Sequence, residues 1–228
     1  MTDAPVVLIT GATGPLGRAA VERFDRDGAN LVLVSTHLGR LEALASDARL
    51  DPDRHLLVAA DLRDRDAARS MADQASARFG RVDVLLHAVG GWAGGTLVVD
   101  LDPDEVRRML EQHLWSTLNV VQAVVPGMLA RGVGRVLAVS SPAAASPGPK
   151  GASYAVAKAA EEVIVRSLAR EVAGTGVTAN LLVVRMIAGG RDSPPTATPP
   201  GELVEMLAFL ASPAAGSVNG QRIAVGSA

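Results

Sequence analysis

The stretch 153–158 holds the residue types of an acid/base centre. It contains the only tyrosine of the chain, Tyr154, and four residues later one of its two lysines, Lys158. On a helix, side chains four residues apart lie on the same face, and an ammonium beside a phenol favours the phenolate form. The spacing predicts a tyrosine that gives and takes a proton. A tyrosine packed on the core beside a solvated lysine fits this stretch equally well.

A second stretch suited to chemistry is the glycine-rich sequence TGATGPLG at 10–17. It follows an apolar, β-branched run and precedes residues with helical apolar spacing. Between a strand and a helix, glycines let the backbone approach a pyrophosphate, and the first turn of the helix supplies amide donors. The stretch predicts a dinucleotide site, with a simple tight turn as the alternative.

Alternating apolar runs and amphipathic segments must position these residues. Strands are predicted at 6–10, 31–35, 55–60, 82–88, 135–140, 177–183 and 222–225, and helices at 15–27, 40–48, 64–79, 102 to about 128, 151–172 and 203–210. Such alternation is typical of a parallel sheet covered on both faces. We predict an α/β, doubly wound Rossmann fold with about seven parallel strands, as one domain over 1–228. The four prolines within 191–201 predict that this segment is neither helix nor strand.

Several residues suited to ligand binding come directly after predicted strands. In a doubly wound sheet, ligands bind across the carboxyl ends of the strands. These residues are therefore expected to line one crevice: Gly11, Ser35, Asp61, Gly90 and Ser141.

Composition limits the classes of partner. The net charge of −2, with both signs mixed along the chain, indicates neither a nucleic acid nor a membrane partner. The chain has no cysteine and only four scattered histidines, so no metal site is expected. No apolar run approaches the ~18 residues of a membrane span, and residues 1–5 lack a basic stretch, so a cytoplasmic protein is expected.

Together, the glycine turn, Asp61-Leu62 after the third predicted strand, and Tyr154 with Lys158 resemble the short-chain dehydrogenase/reductase family. The resemblance covers nearly the whole chain in the family's order. It extends through 85–91, 134–141, 177–180 and 209–212.

The resemblance implies an NAD(P)-dependent oxidoreductase that transfers a hydride between a nicotinamide cofactor and a small-molecule carbonyl or alcohol. Ser141 would contact the substrate oxygen, Tyr154 would be the general acid or base, and Lys158 would hold the nicotinamide ribose. His113 falls where the family has a catalytic asparagine. The cofactor-binding residues implied are Gly11, Thr13, Gly14, Leu16, Gly17, Ser35, Thr36, His37, Arg40, Asp61, Leu62, Ala88, Gly90, Tyr154, Lys158 and Ile187. A homodimer or homotetramer is also implied.

Departures from the family pattern mark a divergent member. Pro15 stands where glycine is usual, His87 begins a segment that usually reads Asn-Asn-Ala-Gly, and Val184-Arg185 replaces a usual Pro-Gly. Gly189 stands where a threonine often contacts the pyrophosphate. The segment 188–201, which carries the substrate lid in the family, is short enough to predict an open site.

The residues after the second predicted strand bear on cofactor choice. An acid there would bind the ribose 2′-hydroxyl and repel a 2′-phosphate. The sequence has Ser35, Thr36 and His37, followed by Arg40, which favours NADP(H) over NAD(H). His37 and Arg40 as solvated loop residues are the alternative.

Two other classes of function remain open at this point. The departures fit a nucleotide-binding sensor or scaffold with little or no catalysis. A structural module without a cofactor requires that Gly11, Gly17 and Lys158 be coincidental.

Overall fold

Seven parallel strands form one sheet in the computed structural model, which describes residues 4–190 and 192–226. The strands are β1 (Val6–Thr10), β2 (Asn30–Ser35), β3 (His55–Ala59), β4 (Val84–His87), β5 (Gly134–Ser140), β6 (Val177–Val183) and β7 (Arg222–Ala224). Their order across the sheet is β3-β2-β1-β4-β5-β6-β7. The order reverses between β1 and β4, which places the switch point of a doubly wound sheet beside the glycine turn. The predicted fold class is confirmed.

Helices cover both faces of the sheet. They are α1 (Pro15–Arg26), α2 (Leu38–Asp47), α3 (Arg65–Phe79), α4 (Pro103–Leu110), α5 (Ser116–Arg131), α6 (Ala152–Glu171) and α7 (Pro200–Ala211). Most predicted ends differ from these by one or two residues. No helix within residues 4–190 or 192–226 is long and apolar enough to cross a bilayer.

The core consists of two apolar layers, one on each face of the sheet. Leu8 and Val32 point into the layer that contains residues of α3, α5 and α6, whereas Ile9 and Leu33 point into the layer with α1, α2 and α7. Successive side chains of a strand point to opposite faces, so strands buried on both sides read as the continuous apolar runs seen in the sequence.

The helix predicted from 102 to about 128 differs from the observed one. It begins at Pro103, widens into a π turn at Glu111–Trp115, and ends at Arg131. A π turn adds one residue to a helical turn, which shifts the phase of the apolar pattern after it but has no residue signature of its own. This turn contains His113.

The segment after β6 also differs in one respect. Helix α7 begins at Pro200, inside the stretch 191–201 predicted to be without helix, because a proline is tolerated in the first helical turn, where its missing N–H has no partner. Arg191 lies outside the described residues. Between β6 and α7 the described residues contain one isolated bridge, between Ile187 and Thr198, and no helix.

Candidate active site

The glycine turn packs against the segment after β4 so closely that two of its positions exclude a side chain. Gly11 has a φ of +68°, and a Cβ there would lie 2.5 Å from the backbone oxygen of Ala88. A Cβ on Gly17 would collide with the carbonyl oxygen of Gly11. The bare backbone of the turn therefore forms one wall of a cleft.

Helix α1 directs its amino end into this cleft. Gly14 is its N-cap, Pro15 occupies the first position, and its first turn has no acidic residue. Leu16 and Gly17 line the cleft, and the amides of a first helical turn have no partner within the helix. Free amides at the positive end of a helix dipole suit a phosphate group.

One half of the cleft, about 440 Å³ in volume, lies between the ends of β1, β2, β3 and β4. It brings together nine predicted cofactor residues: Gly11, Thr13, Gly14, Ser35, Thr36, Asp61, Leu62, Ala88 and Gly90. Below it, Asn119 of α5 donates from Nδ2 to the carbonyl oxygens of Leu62 and Arg63, at 2.9 and 3.0 Å.

Asp61 is paired with Arg63 in this half of the cleft. The Nη2 of Arg63 lies 2.6 Å from Oδ2 of Asp61, and its Nε lies 2.9 Å from Oδ1. The hydrogen bonds from Arg63 hold the pKa of Asp61 below its ordinary value. The only acid among the residues that line this half of the cleft therefore has its charge balanced by a neighbour.

The other half of the cleft, about 1060 Å³, lies over β4, β5 and α6. Ser141, Tyr154 and Lys158 share its wall with Leu16 and Ile187. The structure thus brings the predicted acid/base pair and the predicted serine to the same cavity as the glycine turn.

Three predicted site residues are not in the cleft wall. His37 and Arg40 are exposed at the start of α2 and line neither half of the cleft. His113 is fully buried behind the wall.

Ser141 follows β5. Its carbonyl group is held by a hydrogen bond, and its hydroxyl proton has no acceptor among the described residues. Its carbonyl oxygen accepts from Nη2 of Arg222 at 3.2 Å, and its Oγ accepts from the amide of Ala143 at 3.3 Å. Glu162 holds Arg222, accepting from its Nε at 3.0 Å, and also accepts from the hydroxyl of Ser140 at 2.7 Å. A hydroxyl that accepts a backbone hydrogen bond still has its own proton to donate.

Lys158 is buried, and its ammonium is held from below. Its Nζ donates to the carbonyl oxygen of Val139 at 2.7 Å and to Oε2 of Glu161 at 2.6 Å. An ammonium has three N–H donors, so one remains for the cleft. The sequence-based alternative of a solvated lysine is therefore wrong.

The π turn places His113 and Gln112 against the segment after β4. His113 donates from Nε2 to the carbonyl oxygen of Gly91 at 3.1 Å, and Gln112 donates from Nε2 to that of Gly90 at 2.6 Å. The His113 ring also meets the Tyr154 ring edge to face, with centroids 5.6 Å apart. The turn thus joins the glycines of the cleft wall to the tyrosine.

His87 links the two central strands β1 and β4 to α5. Its Nδ1 lies 2.9 Å from the hydroxyl oxygen of Thr10 and its Nε2 lies 3.4 Å from that of Ser116. Burial lowers the pKa of His87 to about 4. The ring is therefore neutral near neutral pH and joins β1, β4 and α5.

Glu161 and Glu162 are site residues that were not predicted from the sequence, although both acids follow Lys158 closely. They are buried on α6, at 1% and 6% relative exposure. Burial alone would raise the pKa of Glu161, but the Lys158 ammonium and the nearby histidines outweigh it and hold that pKa below its ordinary value. Adjacent acids within an otherwise apolar helical pattern were the available signal, because buried acids require partners.

Comparisons with known proteins point in one direction. A family model described as short chain dehydrogenase matches residues 5–193. The 3-oxoacyl-[acyl-carrier-protein] reductase FabG of Thermotoga maritima is 26% identical, over 98% of this chain and 96% of its own length. A short chain dehydrogenase of Pseudocercospora fijiensis is 32% identical over 75% of this chain, which spans only 55% of that protein. The crystal structure of a short-chain dehydrogenase/reductase from Burkholderia xenovorans superposes with a TM-score of 0.88, at 27% identity and covering 97% of this chain and 94% of that one.

Proposed function

Since the chain belongs to the short chain dehydrogenase family of NAD(P)-dependent oxidoreductases, we propose that it transfers a hydride between NADP(H) and a carbonyl or alcohol substrate. The observation that carries this proposal is the cleft itself. One cavity is lined by the glycine turn, Ser141, Tyr154 and Lys158.

The cofactor fits the residues present. The turn around Gly11 and Gly17 has no room for side chains, which leaves its backbone accessible to a pyrophosphate. The amides of Leu16 and Gly17 would bind the phosphates, and Asp61, Leu62 and Ala88 would hold the adenosine half. When bound, the nicotinamide supplies or accepts the hydride.

NADP(H) is the proposed choice because the residues that line this half of the cleft include no unpaired acid that could accept a hydrogen bond from a ribose 2′-hydroxyl. Ser35 and Thr36 at the end of β2 are neutral, and Asp61 is already paired with Arg63. His37 and Arg40 follow β2 with exposed side chains. Neither is anionic, so neither would repel a 2′-phosphate.

We give Ser141, Tyr154 and Lys158 each a distinct proposed role. Ser141, with its free hydroxyl proton, would donate a hydrogen bond to the substrate oxygen. Tyr154 would give that oxygen its proton during reduction and remove it during oxidation, a contribution of typically 10²- to 10⁴-fold in rate. The remaining N–H of Lys158 would hold the ribose beside the tyrosine.

The substrate side of the cleft fits a bulky, partly apolar carbonyl compound. Trp92, Val184 and Met186 line it, and Trp92 is 68% exposed. No helix covers it between β6 and α7 among the described residues. The shortness of this segment supports an open site.

We extend the proposal to a homodimer or homotetramer in the cytoplasm. Trp115 on the π turn and Leu129 on α5 are 48% and 41% exposed, which suits a helix face that pairs with a second copy. Sedimentation of the purified protein tests this, since a monomer at all concentrations would refute it.

A nucleotide-binding sensor with little catalysis is the second candidate. It is favoured by His113, which stands where the family has a catalytic asparagine but is buried behind the cleft wall with its Nε2 bonded to the carbonyl oxygen of Gly91. Titrating NADPH and NADH by fluorescence, followed by a panel of carbonyl compounds, tests both functions. Binding with turnover supports the enzyme, and binding without turnover across the panel supports the sensor. No binding of either dinucleotide refutes both.

A further inference from the structure

Glu161 is a buried acid that no role assigned so far uses. It lies three residues after Lys158 on α6, and its Oε2 accepts from the lysine Nζ at 2.6 Å. The same oxygen lies 3.5 Å from Nδ1 of His113. Glu161 therefore contacts both Lys158, four residues after Tyr154, and His113, whose ring meets that of Tyr154.

Each nitrogen of the His113 ring faces an oxygen atom that accepts hydrogen bonds. Nε2 faces the carbonyl oxygen of Gly91, which can only accept a hydrogen bond. Nδ1 is buried with no hydrogen-bond partner among the described residues, and Oε2 of the Glu161 carboxylate lies 3.5 Å from it. A neutral ring protonated at Nε2 would turn a bare Nδ1 lone pair toward an anion. His87 differs, because both its nitrogens face hydroxyls that can donate as well as accept.

Within the described part of the chain, three ionisable groups face Glu161, namely Lys158 on its own helix, His113 on the π turn and His87 on β4. Strand β5 contributes only the carbonyl oxygen of Val139 to this cluster. His87 is neutral at ordinary pH. One buried carboxylate oxygen thus faces both the ammonium of Lys158 and the imidazole of His113. Removing one partner of a buried charge pair leaves the other uncompensated.

We propose that Glu161 is a positioning residue of the acid/base centre. Its carboxylate holds His113 doubly protonated against Tyr154 and keeps the Lys158 ammonium in place. The effect on catalysis rests on the proposed dehydrogenase function, whereas the effect on the His113 ring does not. Glu161 touches no reacting atom and acts only through its two partners.

Nitrogen-15 NMR of the protein without cofactor or substrate tests the ring directly. In the wild type at neutral pH, both His113 nitrogens should give the signal of a protonated nitrogen, assigned by comparison with His113→Asn. In Glu161→Gln, Nδ1 should shift to the signal of a bare nitrogen, and Glu161→Asp, which keeps the charge, should restore the protonated signal.

A matched control is Asp83→Asn, which removes another ion-paired carboxylate. Asp83 precedes β4, at the opposite end of the sheet from the cleft, and pairs with Arg81. It should leave the His113 signals unchanged. A bare Nδ1 in the wild-type protein at neutral pH would overturn the proposal without any variant, even if Glu161→Gln did not fold.

Kinetics provide a second readout if the enzyme reduces a carbonyl compound. Glu161→Gln should lower kcat by about 10- to 100-fold, the range known for residues that orient the ligands of a metal site, with KM for the carbonyl nearly unchanged. The pH profile of kcat should also change shape, whereas that of Asp83→Asn should match the wild type. An unchanged profile in Glu161→Gln would refute the positioning role. Absence of turnover in the wild type would refute the proposed function and leave the NMR result to decide on Glu161.

Discussion

Lys158 and Glu161 are one helical turn apart on α6 and are joined by a buried ion pair, with 2.6 Å between Nζ and Oε2. The lysine that the sequence places beside the tyrosine is thus held by an acid, with one further donor spent on Val139. Two consequences follow. The ammonium is held in place by two acceptors, and only its third N–H is available to a ligand in the cleft.

Replacing Tyr154 by Phe should remove the proton donor and leave the cleft intact. Because general acid/base catalysis contributes typically 10² to 10⁴ in rate, we expect kcat to fall by about that factor. NADPH affinity should change by less than about threefold, since the phenyl ring remains. Single-turnover kinetics and fluorescence titration measure the two quantities. A variant that turns over at the wild-type rate would remove Tyr154 from the mechanism.

Gly17→Ala should disrupt the glycine turn. The added methyl group would collide with the backbone of Gly11 and Ala12, neither of which can yield without moving the turn. We expect a loss of stability of about 1–3 kcal/mol and a loss of dinucleotide binding, measured by urea unfolding and calorimetry. Gly39→Ala is the control, because a Cβ there meets nothing within 4 Å. If both variants bind equally well, the turn does not form the phosphate site.

Ser35→Asp should reverse the cofactor preference. A carboxylate at the end of β2 repels a 2′-phosphate and accepts from a ribose 2′-hydroxyl. NADPH binding should weaken about 10- to 100-fold while NADH binding strengthens, a difference of about 1.4 to 3 kcal/mol. The exposed residue Ser70 on α3 offers a control with the same change of charge, Ser70→Asp, which should alter neither affinity. Calorimetric titration of both dinucleotides decides the matter, and an unchanged ratio would place the 2′-position elsewhere.

His87 should make the protein less stable as the pH falls. Its folded pKa of about 4 lies below the ordinary value of 6.5, so the unfolded chain binds more protons between these two values. Stability is therefore complete above about pH 6.5 and declines toward pH 4, by up to about 3 kcal/mol from this group. Urea unfolding at about pH 7 and pH 5 measures the difference.

A His87→Asn variant isolates this contribution. It lacks the titrating ring, so its unfolding free energy should fall less between the two pH values than that of the wild type. The lowered pKa of Glu161 acts in the same direction, but its loss occurs at lower pH, as the carboxylate takes up a proton. Equal losses in the two proteins would show that His87 is already protonated in the folded state.

Much of the fold could be predicted from the sequence because its signals are local. Apolar runs of about five residues alternate with amphipathic segments, and each strand carries its own β-branched, apolar signature. The glycine turn could likewise be recognised, since the positive φ at Gly11 and the packing of Gly17 against Gly11 and Ala12 arise within one short stretch of the chain. The π turn could not, because one inserted helical residue changes no local preference.

The sequence by itself determined the order of the strands along the chain, the place of the glycine turn, and the spacing of Tyr154 and Lys158 on one helix, since these depend on residues near one another along the chain. Only the tertiary structure decided which residues contact Tyr154 and Lys158. Glu161 and His113 are 48 residues apart in the numbering and meet because α6 packs against the π turn. His87 and Thr10 meet because β1 and β4 are neighbours in the sheet. A buried polar group takes its charge from the partners that packing brings to it, so the protonation of this centre is a property of the folded protein.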